Sequence, residues 1–369
     1  MKAITGIRRY WKSERIRRPL KTVLMIVAAV IAALAVGSVF VVSMNANVAE
    51  TYKKLLIDPF SSPQNIAGIL IKATPILIVA VGVAVAGKAK LTNLGGEGQM
   101  YMGALGAILV GTSPIGNLLG AWTPVAGMLA GAVLGGLWGG IAGFFKARFK
   151  ANEIITTLLL NYIAVQLIGF LVRGPLKEPG GLMPQSAQID KVMRLPRLAE
   201  GMRAHIGIII ALSCVVLLFI LLNRTRFGYN VRVLGGSPRA ACYSGIDARN
   251  YYIYVMLISG AFAGFAGSIE VFGVQFRLME GLAGGYGISG VVVALLGLMH
   301  PAGIVIAGLL MSSLTVGAEL AQVSTGVPVT LVSVLQGMIV LFVLWGFGSG
   351  GKSLFQKLRK RRSIGKERA

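Results

Sequence analysis

The run IAGILIKATPILIVAVGVAVAG, residues 66–87, is 22 residues long and carries one charge, Lys72. Crossing the hydrocarbon of a bilayer takes roughly 20 apolar residues in a helix. The run therefore reads as a transmembrane helix, and the chain as a membrane protein. After a short basic connection comes Thr92-Asn93-Leu94-Gly95-Gly96-Glu97-Gly98-Gln99-Met100. An acid, two amides and three glycines between apolar blocks need a reason, because an ionisable residue at membrane depth marks a functional site by default.

Working outward, further blocks of spanning length are Thr22–Ser43, Thr123–Phe145, Ile154–Val172, His205–Leu222, Tyr251–Phe272 and Pro328–Trp345. Three less tidy ones, Met100–Gly111, Tyr286–Met299 and Ala302–Gln322, follow glycine-rich stretches or the His300-Pro301 break. The 369 residues are 55% hydrophobic and 13% charged, with mean hydropathy +0.75. Soluble domains carry about 25% charged residues. The fold class is all-α, a polytopic membrane protein of about ten transmembrane helices. The first block has an apolar core too long for a signal peptide and no clean cleavage site, so it reads as an uncleaved anchor.

The net charge of +23 is concentrated at the two ends and in short connections. With ten spans and a cytoplasmic N-terminus, 26 of the 36 Lys and Arg fall on the cytoplasmic side. That is the positive-inside pattern, and it puts both termini in the cytoplasm. The basic ends, 1–21 and 346–369, serve topology and anionic lipid. No aromatic residues interleave the C-terminal basic run at 357–368, so nucleic acid is not a partner. Cys214 and Cys242 provide neither a disulfide framework nor a metal site.

The membrane domain, 22–345, divides into halves of five spans, about 22–172 and 205–345, joined by an external loop at 173–204. An odd number of spans per half makes the halves inverted. Each half's second span is followed by a glycine-rich interruption, Leu91–Gln99 and Gly281–Gly290. Interrupted segments at corresponding positions point to a central transport site. Candidates for the substrate pathway are Asn93, Glu97, Gln99, Asn161, Tyr286 and His300. At Thr92–Met100 two readings stand together. One is a plain helix start near the surface, with Lys88 and Lys90 close to water. The other is a broken helix lining a passage. Gly131, Gly135, Gly139 and Gly143 recur on one helix face and, with Gly260 and Gly264, let backbones approach closely.

The cytoplasmic loop at 223–250 holds Ser237-Pro238-Arg239-Ala240-Ala241-Cys242-Tyr243-Ser244-Gly245-Ile246. Ser237 caps, Pro238 takes the first helical position and Gly245 stops a short helix. Such a helix in the longest internal loop is a docking element, or else a lipid-surface helix. Gly346–Ser353 fits a phosphate-loop pattern but lacks the strand before it and the α/β domain around it. No nucleophile–base pair or metal-ligand cluster stands out, so the chain reads as a transport subunit and not an enzyme. An ion-coupled secondary transporter using Glu97 or His300 is the alternative.

Asn93 to Met100 resembles the Asn-Ile-Gly-x-Glu-Gly-Gln signature of bacterial ABC-importer permeases of the nucleoside (basic membrane protein) group, relatives of the ribose and branched-chain amino acid permeases. Asn152-Glu153-Ile154-Ile155-Thr156-Thr157 with Asn161-Tyr162 resembles the group's second signature. Gly235 to Ile246 resembles its coupling segment. Gly96 departs from the pattern, standing where a larger residue or Ala is common. The resemblance implies a permease subunit in a bacterial plasma membrane, importing nucleosides or, in related permeases, simple sugars. It implies a cytoplasmic ABC ATPase, binding ATP and Mg, docked at Ser237, Pro238, Arg239, Ala240, Ala241, Tyr243, Gly245 and Ile246. It further implies a second, related permease subunit and an extracytoplasmic substrate-binding protein. The chain itself would hold no cofactor.

Overall fold

A computed structural model describes residues 35–43, 46–328 and the isolated positions 330, 334, 337 and 338. Most of the blocks at Thr22–Ser43 and Pro328–Trp345, both basic ends and the pattern at Gly346–Ser353 lie outside the described residues. The described residues are mostly helical, with no strand among them. They divide into two compact units, one drawn from Met1–Ile57 and Gly317–Ala369, the other Asp58–Val316.

In the first unit, helix α1 (35–43) is followed by amphipathic α2 (Val48–Leu56). Asn47 caps α2, its Oδ1 accepting from the amides of Ala49 and Glu50. Val41 and Val327 are buried together.

The second unit holds α3 (Pro63–Lys88), α4 (Gly96–Gly111), α5 (Pro114–Leu119), α6 (Thr123–Phe149), α7 (Glu153–Arg173) and α8 (Gly207–Arg224). These are followed by α9 (Arg226–Gly236), α10 (Pro238–Tyr243), α11 (Ala248–Glu270) and α12 (Tyr286–Leu296). The last helix, α13 (Pro301–Thr325), begins here and runs on past Val316. Among the described residues six helices are long and apolar enough to cross a membrane: α3, α6 with the preceding α5, α7, α8, α11 with its extension to Gln275, and α13. By contrast, α4 and α12 have 16 and 11 residues. At 1.5 Å per residue these are about 24 and 16 Å long, too short to cross alone.

The glycine spacing builds the core. Helices α6 and α11 pack along their lengths through Gly131, Gly135, Gly139 and Gly143 on one side and Gly260 and Gly264 on the other. A Cβ on Gly135 would lie 2.5 Å from Gly264 Cα and 2.7 Å from the Gly260 carbonyl oxygen. Only bare backbone fits that seam. Helix α4 lies against both, with Gly103 on the backbone of Gly264 and Gly106 on that of Ala130.

Two regions differ from their sequence reading. Residues 223–250 read as a loop with one short helix, yet most of the segment is helical. Thr225 Oγ1 accepts from Gly228 N and starts α9, a capping signal buried in the basic run. Helix α11 also does not simply stop. It widens into a π-turn at Val271–Gln275, closed by Phe276 at φ 58°. The Phe272 carbonyl then accepts from Leu195 N of the external segment, and the Phe276 carbonyl from Ile189 N. His205 is buried beside this turn, against Gly207 and Gly273. Its Nδ1 accepts from Gly207 N at 3.1 Å, while Nε2 has no hydrogen-bond partner among the described residues.

Candidate functional site

Helix α3 ends in a turn in which Lys90 adopts φ 56°. The chain returns as an extended strip, Leu91–Gly95, and becomes helical again at Gly96. Asn93 organises the strip. Its Nδ2 donates to Gln99 Oε1 at 2.9 Å and to Ser259 Oγ at 2.8 Å. Its Oδ1 accepts from Gly95 N at 2.8 Å and from Gln99 Nε2 at 3.1 Å. Asn161 of α7 ties the other side, donating from Nδ2 to the Leu94 carbonyl and accepting at Oδ1 from Gly98 N, both at 2.8 Å. Thr157 Oγ1 accepts from Leu94 N at 3.3 Å. Asn93 and Gln99 are each 1% exposed. Strip backbone and side chains thus satisfy one another, as buried polar groups must.

The strip's depth follows from its neighbours. A Cβ on Gly96 would meet Val79 Cγ1 at 3.1 Å and Gly287 Cα at 3.2 Å. Val79 lies nine residues before Lys88, the basic end of α3. At 1.5 Å per residue this is about 14 Å, half of a hydrocarbon core about 30 Å thick. Helix α4 therefore starts beside the middle of α3 and not level with its basic end.

The second interruption arrives at the same place. Gly281, Gly284 and Gly285 turn the chain at φ 81°, 49° and 77°, and α12 begins at Tyr286. Gly281 N donates to Tyr101 Oη of α4 at 3.0 Å. Gly287 abuts the backbone of Glu97, and Gly290 the side chain of Val79. From this meeting point the helices run apart. Gly111, at the end of α4, reaches Ile189 and Phe272, while Met299, just past α12, covers Gly87 near the basic end of α3. Two interrupted helices starting together and running oppositely are what inverted halves require. Their positive ends converge. Glu97, in the first turn of α4 with its backbone against Gly287, is half-buried and makes no hydrogen bond or ion pair among the described residues.

The structure thus gathers Asn93, Glu97, Gln99 and Asn161, with Tyr286 at the first residue of α12. It does not bring His300 there. His300 is exposed at the turn after α12, a helix length away. Sequence reasoning did not single out Ser259, Tyr101 or Gly287. Ser259 lies beside Gly260 of the seam, which is the one signal for it.

At the basic end of α3, Gly235 of α9 packs on the Lys88 carbonyl. Ser237 Oγ accepts from Ala240 N at 3.3 Å, Pro238 opens α10, and Gly245 follows it at φ 75°. Ala241 and Ile246 are buried and anchor the helix, while Arg239, Ala240 and Tyr243 face outward, Tyr243 at 92% exposure. Among the described residues no group of three or more His, Cys, Asp or Glu is placed to hold a metal ion.

An all-α membrane protein built around two opposed half-helices, with a capped helix beside its basic end, has the form of a transport permease. The chain belongs to the family described as branched-chain amino acid transport system, permease component, which matches residues 65–344, and it is the permease component of an ATP-binding-cassette importer. It is 34% identical over 328 residues to a glucose ABC transporter permease protein of Haloferax volcanii, covering 86% of each chain. It is 32% identical over 328 residues to a guanosine ABC transporter permease protein of Bacillus subtilis, covering 88% of this chain and 93% of that one. Similarity to a nucleoside ABC transporter permease protein of Lactococcus lactis is 29% identity over 335 residues, with 88% and 91% covered. No solved structure matches the chain.

Proposed function

We propose that the importer carries nucleosides and that they pass the point where α4 and α12 begin. The observation carrying this reading is Glu97, an acid without a partner among the described residues where two helix starts meet. A carboxylate there accepts hydrogen bonds from the hydroxyls of a ribose, while repelling anions that bare helix starts would attract. Tyr286 borders the same spot. Asn93, Gln99 and Asn161 have spent their hydrogen-bonding capacity on the strip and act as its frame. The guanosine and nucleoside permeases among the relatives support this cargo. A simple sugar is the second reading, favoured by the similarity to the glucose permease.

The remaining machinery follows the family. A separate ATPase binds ATP and Mg and docks on Arg239, Ala240 and Tyr243, with Ser237, Pro238, Ala241, Gly245 and Ile246 holding the shape of α10. A second, related permease subunit and an extracytoplasmic binding protein complete the importer, in a plasma membrane with both termini cytoplasmic. The deciding experiment measures guanosine and glucose binding by the cognate binding protein, then uptake of the bound solute. Glucose uptake without guanosine uptake rejects the nucleoside reading. Ala240→Glu abolishes co-purification of the ATPase; retention of a fully active ATPase on that variant rejects the docking assignment.

A further inference from the structure

Helix α7 has two faces. Thr157, Ala164, Ile168 and Val172 are buried against the rest of the chain, and Asn161 binds the strip on the same side. Two residues away in register, Ile155, Leu159, Tyr162, Gln166 and Phe170 form the opposite face, all exposed. Tyr162 is 72% exposed. Neither Tyr162 nor Gln166 makes a hydrogen bond among the described residues.

Their depth makes this exposure informative. Tyr162 follows Asn161, whose amide is bonded at the level of Leu94 and Gly98, so it lies at the depth where α4 and α12 begin. It is also the tenth of the 21 residues of α7. Gln166 is one turn further, about 6 Å along the axis. A phenol and a primary amide facing hydrocarbon at mid-membrane cost several kcal/mol in unmade hydrogen bonds. The outward faces of neighbouring spans avoid this cost. On α6 the exposed stripe is Val125, Leu129, Val133, Leu137 and Ile141. On α8 the exposed Ser213 hydroxyl is satisfied by the Ile209 carbonyl of its own helix. Lipid suits those faces and does not suit this one.

We infer that the outward face of α7 forms one wall of the water-filled passage and that Tyr162 and Gln166 recognise the base of the passing nucleoside. This rests on the nucleoside reading and adds the group that distinguishes a nucleoside from a sugar. A flat ring stacks on a purine or pyrimidine, and base–aromatic stacking tolerates any base. The Gln166 amide, both donor and acceptor, complements the edge of the same base. Glu97, acting on the ribose at the same depth, leaves the base as the part still to be held.

The test uses the assembled importer with its ATPase and binding protein in proteoliposomes, in a Cys214→Ala, Cys242→Ser background. Gln166→Cys is labelled by a membrane-impermeant charged methanethiosulfonate, guanosine slows the labelling at least about 5-fold, and Leu137→Cys on α6 stays unlabelled. In uptake at sub-saturating guanosine, Tyr162→Ala loses roughly 10- to 100-fold, while Tyr162→Phe, which keeps the ring, stays within about 2-fold. A Gln166→Cys thiol that no aqueous reagent reaches, or that guanosine does not protect, overturns the inference, as does equal uptake by Tyr162→Ala and Tyr162→Phe. Should Tyr162→Ala fail to assemble, accessibility at Gln166→Cys and uptake by Tyr162→Phe still decide. Failure of the nucleoside reading is recognised separately, because the binding protein then holds glucose and not guanosine, whatever the α7 variants do.

Discussion

Replacing Asn93 separates a residue that frames the site from one that touches the solute. In Asn93→Ala, Gly95 N loses its acceptor and both ends of the Gln99 amide lose their partner. Ser259 also loses a donor but can turn its hydroxyl toward its own helix. Two fixed polar groups are left unsatisfied where water is excluded. At about 1–3 kcal/mol for each, the strip loses on the order of 2–6 kcal/mol. The detergent-purified protein then melts roughly 5–10 °C lower, read as the temperature at which half the monodisperse peak is lost on size-exclusion chromatography. Correctly folded molecules retain near-normal uptake per molecule. The double variant Asn93→Leu, Gln99→Leu removes both partners together and recovers at least half of the lost melting temperature, since two apolar groups leave fewer orphans than one. An Asn93→Ala protein that melts like the parent but has lost transport refutes the argument, because Asn93 would then contact the solute.

Gly135→Ala puts a methyl 2.5 Å from Gly264 Cα, where 3.5–4.0 Å is comfortable, so α6 and α11 separate by about 1 Å. Overpacking of this kind costs about 1–3 kcal/mol, seen as a lower melting temperature, while Gly236→Ala, which meets nothing within 4 Å, leaves it unchanged. Glu97→Gln lowers uptake at least about 10-fold with melting temperature unchanged; a matched fall in both makes Glu97 a structural cap. For His205, burial pulls the imidazole pKa down to about 4. Between about 6.5 and 4 the unfolded chain takes up a proton that the folded chain refuses, so stability is constant above that window and falls as pH drops through it, by on the order of 3 kcal/mol in total. The difference in melting temperature between parent and His205→Gln, followed from pH 7 to pH 4, shrinks accordingly; a pH-independent difference contradicts the assignment.

Apolar length placed α3, α6, α7, α8, α11 and α13, and a spacing of four placed the glycine seam, because each signal is local or periodic. The cap at Ser237, the proline at 238 and the stop at Gly245 were readable for the same reason. Depth and the contacts between the two halves were not. That α4 and α12 start together rests on Gly96 meeting Gly287 across nearly two hundred residues, and no periodicity encodes such a contact. The Asn93–Ser259 bond is equally remote. The basic residues Lys88 and Lys90 point toward water, and the extended strip that carries Asn93 back into the membrane leaves no hydrophobic signal of its own. Asn161 and Tyr162 are adjacent and both polar, yet they serve opposite faces of α7. Only the position of α4 tells them apart.

The opposed helix starts also have an electrical consequence. Each contributes about half an elementary charge, giving about one positive charge near the middle of the bilayer, and the Glu97 carboxylate offsets it. A full charge crossing the membrane is worth about 2.3 kcal/mol per 100 mV. Fixed charges do not move through the field, so on the proposed reading, in which a neutral nucleoside passes here, no charge is carried across and the membrane potential has almost nothing to act on. On that reading the direction of import is set by the partner ATPase and by capture at the outer face, and the cell's voltage can rise or collapse without reversing the flow.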